Sequence, residues 1–594
     1  MDNTRVACTL TGGHQVVMLA PLRERFRHAV VRRTYLQLTW GQRMNQVTTQ
    51  TQNETFDYVV IGGGSAGCMV AAKLSESPAN QVLLLEAGDR SEENPETLSS
   101  DGYKYAFIND NLMWERVSTP LIHGGKQRIF VGTGKGIGGS GAVNGMVYTR
   151  GSRQDYSEWP KGWQWDDVLP HFEAIEKELR PRRRPPTQWT EACIGAATET
   201  GFRISEDLND GDLTSTLGYE WMNYEGAQRR NSYVGFLKPA QERPNLTVRT
   251  HAHTRRAIFN SNRVIEAVEY EHNGQLCTVA VNHEAVFCAG ALETPKLLML
   301  SGVGPQAELE RHGISLVHDS PNLGENLHDH PNVMLMYEGD KEVDCQWPQL
   351  YGFDRMNPDL PLPEGQSDTC FVFFPARSSM REGAARLGPT KLPYWLYKIA
   401  SIRKLFSALI YFIFGLSFIQ RRLQKLWGMV IILGKPLSRG RIRLQSKDPQ
   451  DQAAVDPAYF EAPEDLETMA LAVEKAFAMA KSKSMTAWGN RPMAGFPGPS
   501  ASRAQIKQWI GKNAITTFHF AGTCRMGTDP EAPVTPDLKL RGVTGVRVAD
   551  ASVVPFTPVS AMNAPSMLVG FRAAEFILAT QRKPQAAPQP TAVS

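Results

Sequence analysis

The chain has 594 residues, room for two or more lobes at one to two hundred residues each, and its balance of 42% apolar, 21% charged and 9% aromatic residues excludes wholesale disorder, collagen-like repeats and a long coiled coil. With 64 Lys and Arg against 61 Asp and Glu, the net charge of +3 falls far short of the basic excess that phosphate-backbone binding requires, so nucleic acid is not an expected partner. The 8 cysteines are scattered without a Cys-x-x-Cys pair, which predicts reduced thiols, no disulfide framework and no metal centre.

Residues 1–43 hold seven arginines and two acids, a balance fitting an acid-poor transit segment, a disordered arm or a mis-called start. A polar run from Met44 leads into D-Y-V-V-I-G-G-G-S-A-G-C-M-V-A-A-K-L from Asp57: a β-branched run, a glycine turn, then residues at helical spacing. Gly62, Gly64 and Gly67 thus form G-x-G-x-x-G between strand and helix, with Ser65 and Ala66 opening the helix. Such a turn lets a pyrophosphate reach backbone N–H groups at the helix N-terminus. A second strand, Q-V-L-L-L-E-A-G, ends at Glu86, about 19 residues after Gly67. An acid there binds ribose hydroxyls and disfavours a 2′-phosphate, so FAD or NAD is expected rather than NADP.

From this point the sequence resembles the glucose-methanol-choline (GMC) oxidoreductase family, over roughly residues 54–580. G-K-G-I-G-G-S-G-A-V-N-G-M-V-Y-T-R-G, from Gly134 to Gly151, is similar to the family's first signature, a loop running under the flavin, matched at Gly138, Gly139, Ser140, Asn144 and Gly145. Some members attach the flavin to a histidine three residues beyond the serine; Val143 stands there, so the resemblance implies non-covalent FAD. The cluster Arg180, Arg182, Arg183 and Arg184, interrupted by Pro181 and followed by Pro185 and Pro186, reads as an exposed loop. N-L-T-V-R-T resembles the family strand whose valine, here Val248, meets adenine through its backbone. A-V-F-C-A-G-A-L-E-T-P-K-L-L-M-L-S-G-V-G-P, from Ala285 to Pro305, resembles the second signature: a buried strand, a turn at Ala289 and Gly290 beside the cofactor, and a helix entered through Thr294 and Pro295.

Between Lys391 and Gly434 lies an apolar insertion whose uncharged core, Leu405 to Gln420, is 16 residues, short of the roughly 20 needed to span a bilayer. Lys398, Arg403 and Lys404 flank it on one side and Arg421, Arg422 and Lys425 on the other, with Trp395, Tyr397 and Trp427 at its edges. This pattern predicts a helical element lying in a membrane surface, hence peripheral (monotopic) association of a cytoplasmic protein, with organelle targeting as the alternative.

F-H-F-A-G-T-C-R-M-G, from Phe518 to Gly527, resembles the family's catalytic histidine motif, and V-R-V-A-D-A-S-V-V-P, from Val546, its flavin-contacting strand with Asp550 and Ala551 at the cofactor. V-S-A-M-N-A-P-S-M-L-V-G puts Asn563 where the family has a second catalytic His or Asn. Oxidising an alcohol needs a base at the hydroxyl and a two-electron acceptor at the carbon. The resemblance gives the first role to His519 and the second to flavin N5, while Asn563 holds the substrate oxygen. Phe520 after His519, and Ala561 and Met562 before Asn563, depart from the common pattern toward an apolar pocket.

The expected fold is mixed α/β: a Rossmann-like FAD-binding domain from residues 53–150, 231–344 and 515–582, and a substrate domain from 151–230 and 345–514 for which the resemblance implies a six-stranded antiparallel sheet. Residues 1–52 form an extension and 583–594 a disordered tail. The expected activity is oxidation of a lipophilic primary alcohol to its aldehyde, with a quinone or O2 as electron acceptor. An alcohol oxidase, a choline dehydrogenase, a hydroxynitrile lyase and a fatty-acid photodecarboxylase of the same fold are the alternatives. The sequence leaves the oligomeric state open.

Overall fold

The computed structural model describes residues 54–582, so the expected N-terminal extension and tail lie outside the described residues. The first strand, Thr55–Ile61, ends in the buried run Tyr58–Ile61 and pairs in parallel with Val82–Leu85 on one side and Gln275–Phe287 on the other. Covered on both faces, these strands read as continuous apolar runs rather than alternating ones. Each fully buried Val or Leu contributes about 1.5–3 kcal/mol. Between the first two strands runs helix Ser65–Leu74, nearly all of it buried. Its start packs so closely on the C-terminal helix Asn563–Arg582 that a Cβ on Gly570 would lie 2.5 Å from the Ala66 carbonyl oxygen.

The sheet runs Ala252–Phe259, Ile265–His272, Gln275–Phe287, Thr55–Ile61, Val82–Leu85, Leu246–Arg249. The 13-residue strand Gln275–Phe287 joins two kinds of pairing. Its first half is antiparallel to Ile265–His272, and its last three residues are parallel to Val546–Val548. The end of the chain therefore returns to the sheet that its beginning started.

A second sheet of eight strands centres on Pro331–Glu338, Leu426–Leu433, Thr369–Pro375 and Leu350–Asp354, antiparallel throughout. Thr216–Tyr219 continues it antiparallel to Leu350–Asp354. The six-stranded antiparallel expectation is thus exceeded: Arg203–Ser205 adds a parallel edge, and two-residue strands Arg491–Pro492 and Ile515–Thr516 both pair with Pro331–Glu338. Two boundaries of the sequence-based division also shift. Pro331–Glu338 and Ile515–Thr516, assigned to the cofactor domain, run in the second sheet, because an apolar strand pattern fixes a buried face and not the partner that buries it. Residues 182–183 pair with Trp221–Met222, and Arg184, expected in an exposed loop, is buried between the rings of Tyr224 at 3.7 Å and Trp347 at 3.9 Å. The aromatic faces accept the guanidinium plane that the sequence alone assigned to water.

The insertion forms helices Ala400–Phe414 and Ser417–Leu423, bent by 74° at Gly415 and Leu416. No single described helix is long and apolar enough to cross a membrane. The seven described cysteines are unpaired and buried.

Candidate active site

A cavity of about 500 Å³, lined mostly by apolar groups, runs from the glycine turn of the first sheet to the second sheet's Tyr351, Cys370 and Ile432. The chain builds its cofactor wall by close backbone approach. Gly62 has φ of +104°, and a Cβ there would sit 2.6 Å from the Cys288 carbonyl oxygen. Gly139, with φ of +50°, would drive a Cβ to 2.7 Å from the Gly64 Cα. Only glycine fits these positions. By contrast, a Cβ on Gly145 or Gly290 would meet nothing within 4 Å, and both residues face the cavity.

Carboxylates tie the wall together. Glu86 accepts backbone N–H bonds from Gly63 at 2.8 Å, Gly88 at 2.9 Å and Gly136 at 3.0 Å, joining three loops around its one side chain. Asp550 accepts from the Gly290 N–H at 2.8 Å and the Thr294 hydroxyl at 2.6 Å, pinning the Ala289–Gly290 turn to the strand Val546–Val548. Burial raises the Asp550 carboxyl above its usual range while these donors oppose the shift.

At the far end, His519 follows Phe518, whose φ of +64° is left-handed and costs on the order of 1–3 kcal/mol for a residue with a Cβ. Two bonds hold this turn: Phe518 N–H donates to Thr516 Oγ1 at 2.6 Å, and His519 N–H donates to Asp329 Oδ1 at 2.7 Å. Asp329 also accepts from the hydroxyls of Thr516 and Tyr459. The His519 ring stands perpendicular to His330, with the two Nδ1 atoms 2.9 Å apart. One ring must donate and the other accept, so only one of the two Nδ1 atoms carries a hydrogen. Burial pushes His519 down to about 4 and His330 well below the ordinary imidazole value. With Nδ1 engaged, Nε2 of His519 is the nitrogen left for a ligand.

Asn563 is the first residue of the C-terminal helix, two positions before Pro565. Its Oδ1 accepts the Ser65 hydroxyl at 3.0 Å, coupling the two helix starts and leaving the amide N–H groups free.

Of the residues predicted from sequence, Gly62, Gly64, Ser65, Ala66, Glu86, Gly139, Ser140, Asn144, Gly145, Ala289, Gly290, Asp550, Ala551, His519 and Asn563 all line this cavity. Gly67, Gly138 and Val248 do not. Gly67 packs against the Gly62 carbonyl, Gly138 N–H bonds to Gly63 O at 2.8 Å, and Val248 pairs with Leu84 in the sheet. These three shape the wall from behind. Sequence reasoning passed over His330 and Asp329 in the run His328-Asp329-His330-Pro331, whose density of titratable groups was the available signal. It also passed over Glu382, a buried carboxylate lining the cavity with no ion pair among the described residues.

Two family models match the chain: GMC oxidoreductase over residues 56–332 and its C-terminal counterpart over 436–570. The chain belongs to the GMC oxidoreductase family. An alcohol dehydrogenase (acceptor) of Pseudomonas putida is 30% identical over 549 residues, 88% of this chain and 96% of that one. An oxygen-dependent choline dehydrogenase of Chromohalobacter salexigens is 29% identical over 557 residues, 88% and 95%. The crystal structure of a pyridoxine 4-oxidase from Mesorbium loti superposes with a TM-score of 0.75 at 26% identity, covering 88% of this chain and 99% of that one. FAD is accordingly this GMC protein's cofactor. The glycine wall, the open faces of Gly145 and Gly290 and the carboxylate of Glu86 fit it, and Val143 at the wall offers no atom for a covalent link.

Proposed function

We propose that the protein is an FAD-dependent dehydrogenase that oxidises a lipophilic primary alcohol to the aldehyde. The observation that carries this reading is the position of His519, paired with His330 and facing a mostly apolar cavity continuous with the cofactor wall. FAD, when bound, supplies the two-electron acceptor. Nε2 of His519 takes the hydroxyl proton, and the left-handed turn at Phe518 fixes where that nitrogen sits. The free amide N–H groups of Asn563 donate to the substrate oxygen, which orients the carbinol carbon toward the cofactor wall. Phe107, Phe518 and Met562 keep water away from the reacting carbon and favour an alkyl or aryl chain. A quinone is the acceptor this reading favours over O2, because it partitions into the apolar phase that the insertion suits.

A second reading rests on Glu382. An unpaired carboxylate near Tyr103 and Phe107 in the cavity suits a cationic alcohol such as choline. The experiment is anaerobic: alkyl, aryl and choline-type alcohols are added to the FAD-loaded protein while the flavin absorbance is followed. Bleaching by medium or long alkyl alcohols, lost in His519→Ala and reversed faster by a quinone analogue than by air, is the expected result. Bleaching by choline alone, abolished in Glu382→Gln, would replace the first reading with the second.

A further inference from the structure

Helix Ala400–Phe414 has two apolar faces. One, with Phe406, Ile410 and Phe414, turns to the body of the protein. The other, with Leu405, Leu409, Phe412 and Ile413 at spacings of three and four, is exposed: Leu405 by 71% and Phe412 by 65%. From Leu405 to Phe414 the helix carries no charge and is apolar on opposite faces, a pattern that belongs in a core or in lipid, yet no residue of this helix is buried. Of the 14 exposed large hydrophobic side chains among the described residues, 8 fall between residues 394 and 418, so the apolar surface is one patch and not scatter.

Charge identifies what covers it. Residues 391–425 contain seven Lys and Arg and no Asp or Glu, in a chain otherwise close to neutral. Arg403, Lys404 and Arg422 pair with acids of the body, whereas Lys391, Lys398, Arg421 and Lys425 form no ion pair among the described residues. Such a rim repels a second copy of itself and attracts an anionic surface. Trp395, 68% exposed, and Tyr394 sit at the edge, where amphipathic rings meet headgroups. The straight helix of 15 residues is about 22 Å long against the roughly 30 Å hydrocarbon core, and the 74° bend at Gly415 turns the chain back, so it lies in the surface rather than crossing it.

The patch adjoins the cavity. Ser379, Glu382 and Gly383 line the cavity, and Arg381, next to them in the chain, stacks on the Tyr411 ring at 3.7 Å and donates to the Tyr411 carbonyl at 3.0 Å. One short helix, Met380–Leu387, therefore separates the insertion from the reaction chamber. We infer that residues 394–425 seat the protein on an anionic lipid bilayer and that the cavity draws its substrate from that bilayer. Docking is independent of the alcohol reading; delivery of substrate rests on it.

The test floats the FAD-loaded full chain with phosphatidylcholine vesicles, with and without phosphatidylglycerol. The wild type is expected to float with the anionic vesicles, and Leu409→Glu with Phe412→Glu to bind them at least about tenfold more weakly. Arg421→Glu with Lys425→Glu should weaken binding by about tenfold or more at low salt and less at high salt. Retained flavin and unchanged oxidation of a short soluble alcohol establish that the variants fold. For a long-chain alcohol dissolved in the vesicles, turnover should fall in Leu409→Glu with Phe412→Glu; equal turnover in wild type and variant would overturn delivery. Docking is overturned if the wild type floats with neither vesicle, if the variants float like the wild type, or if vesicle-free wild type is a dimer that Leu409→Glu with Phe412→Glu splits, which would assign the patch to a second copy. If no alcohol bleaches the flavin, the alcohol reading fails and the flotation result stands by itself.

Discussion

At the scale of single residues, the chemistry turns on which nitrogen of His519 carries a hydrogen. If His519 Nδ1–H donates to His330 Nδ1, Nε2 is a lone pair and a base; the opposite tautomer makes Nε2 a donor. His330 is thus a positioning residue, and His330→Phe is expected to lower kcat by about tenfold or more with KM little changed and flavin content intact. His519→Gln should cost about 10²–10⁴ in turnover without loss of FAD. Because burial holds His519 near 4, the base stays neutral and competent as pH falls through the ordinary histidine range. The kcat/KM profile should therefore stay flat from pH 7 to about 5 and drop only toward 4; an acidic limb centred near 6.5 would mean that the ring is solvated. His519 and Asn563 were legible because each sits inside a local motif. His330 was not, since the hydrogen bond that gives it a role spans 189 residues.

At the scale of elements, the strand, glycine turn and helix from Thr55 to Leu74 could be read from local periodicity and turn chemistry alone. Gly62→Ala puts a side chain at φ +104° and into the Cys288 carbonyl, so it should lower stability by about 1–3 kcal/mol and reduce FAD retention. A thermal melt paired with flavin absorbance checks both, and a variant that keeps its flavin and its midpoint would refute the close-packed turn. Sheet membership was less legible. Pro331–Glu338 is recognisable as a strand, but its neighbours come from residues 426–433, 491–492 and 515–516, and no local signal names them. Arg184 failed for a related reason: its aromatic partners, Tyr224 and Trp347, lie 40 or more residues away along the chain.

At the scale of the molecule, three neighbouring histidines, the buried His328 and His330 and the half-buried His519, are held neutral by desolvation. Their native values lie below the unfolded value near 6.5, so unfolding takes up protons as pH falls through and below that value, for His519 down to about 4. Stability consequently falls as pH drops through that range, and the thermal midpoint of the wild type should decline from pH 7 to 5 more steeply than that of His328→Gln, which removes one of the three. The apolar insertion could be seen in the sequence as a run of 16 residues, whereas its exposure depended on how few elements the rest of the chain places against it.

The hydrogen bond between Ser65 and Asn563 joins residues 498 apart. During synthesis at about 5–20 residues per second, the glycine turn waits on the order of a minute before the helix that completes the cofactor wall has left the ribosome. Helix Ser65–Leu74 spends that interval without the C-terminal helix that covers its start. A chain cut anywhere between residues 291 and 562 would carry Gly62, Gly139, Gly145 and Gly290 and still lack Asn563 and the helix that starts there.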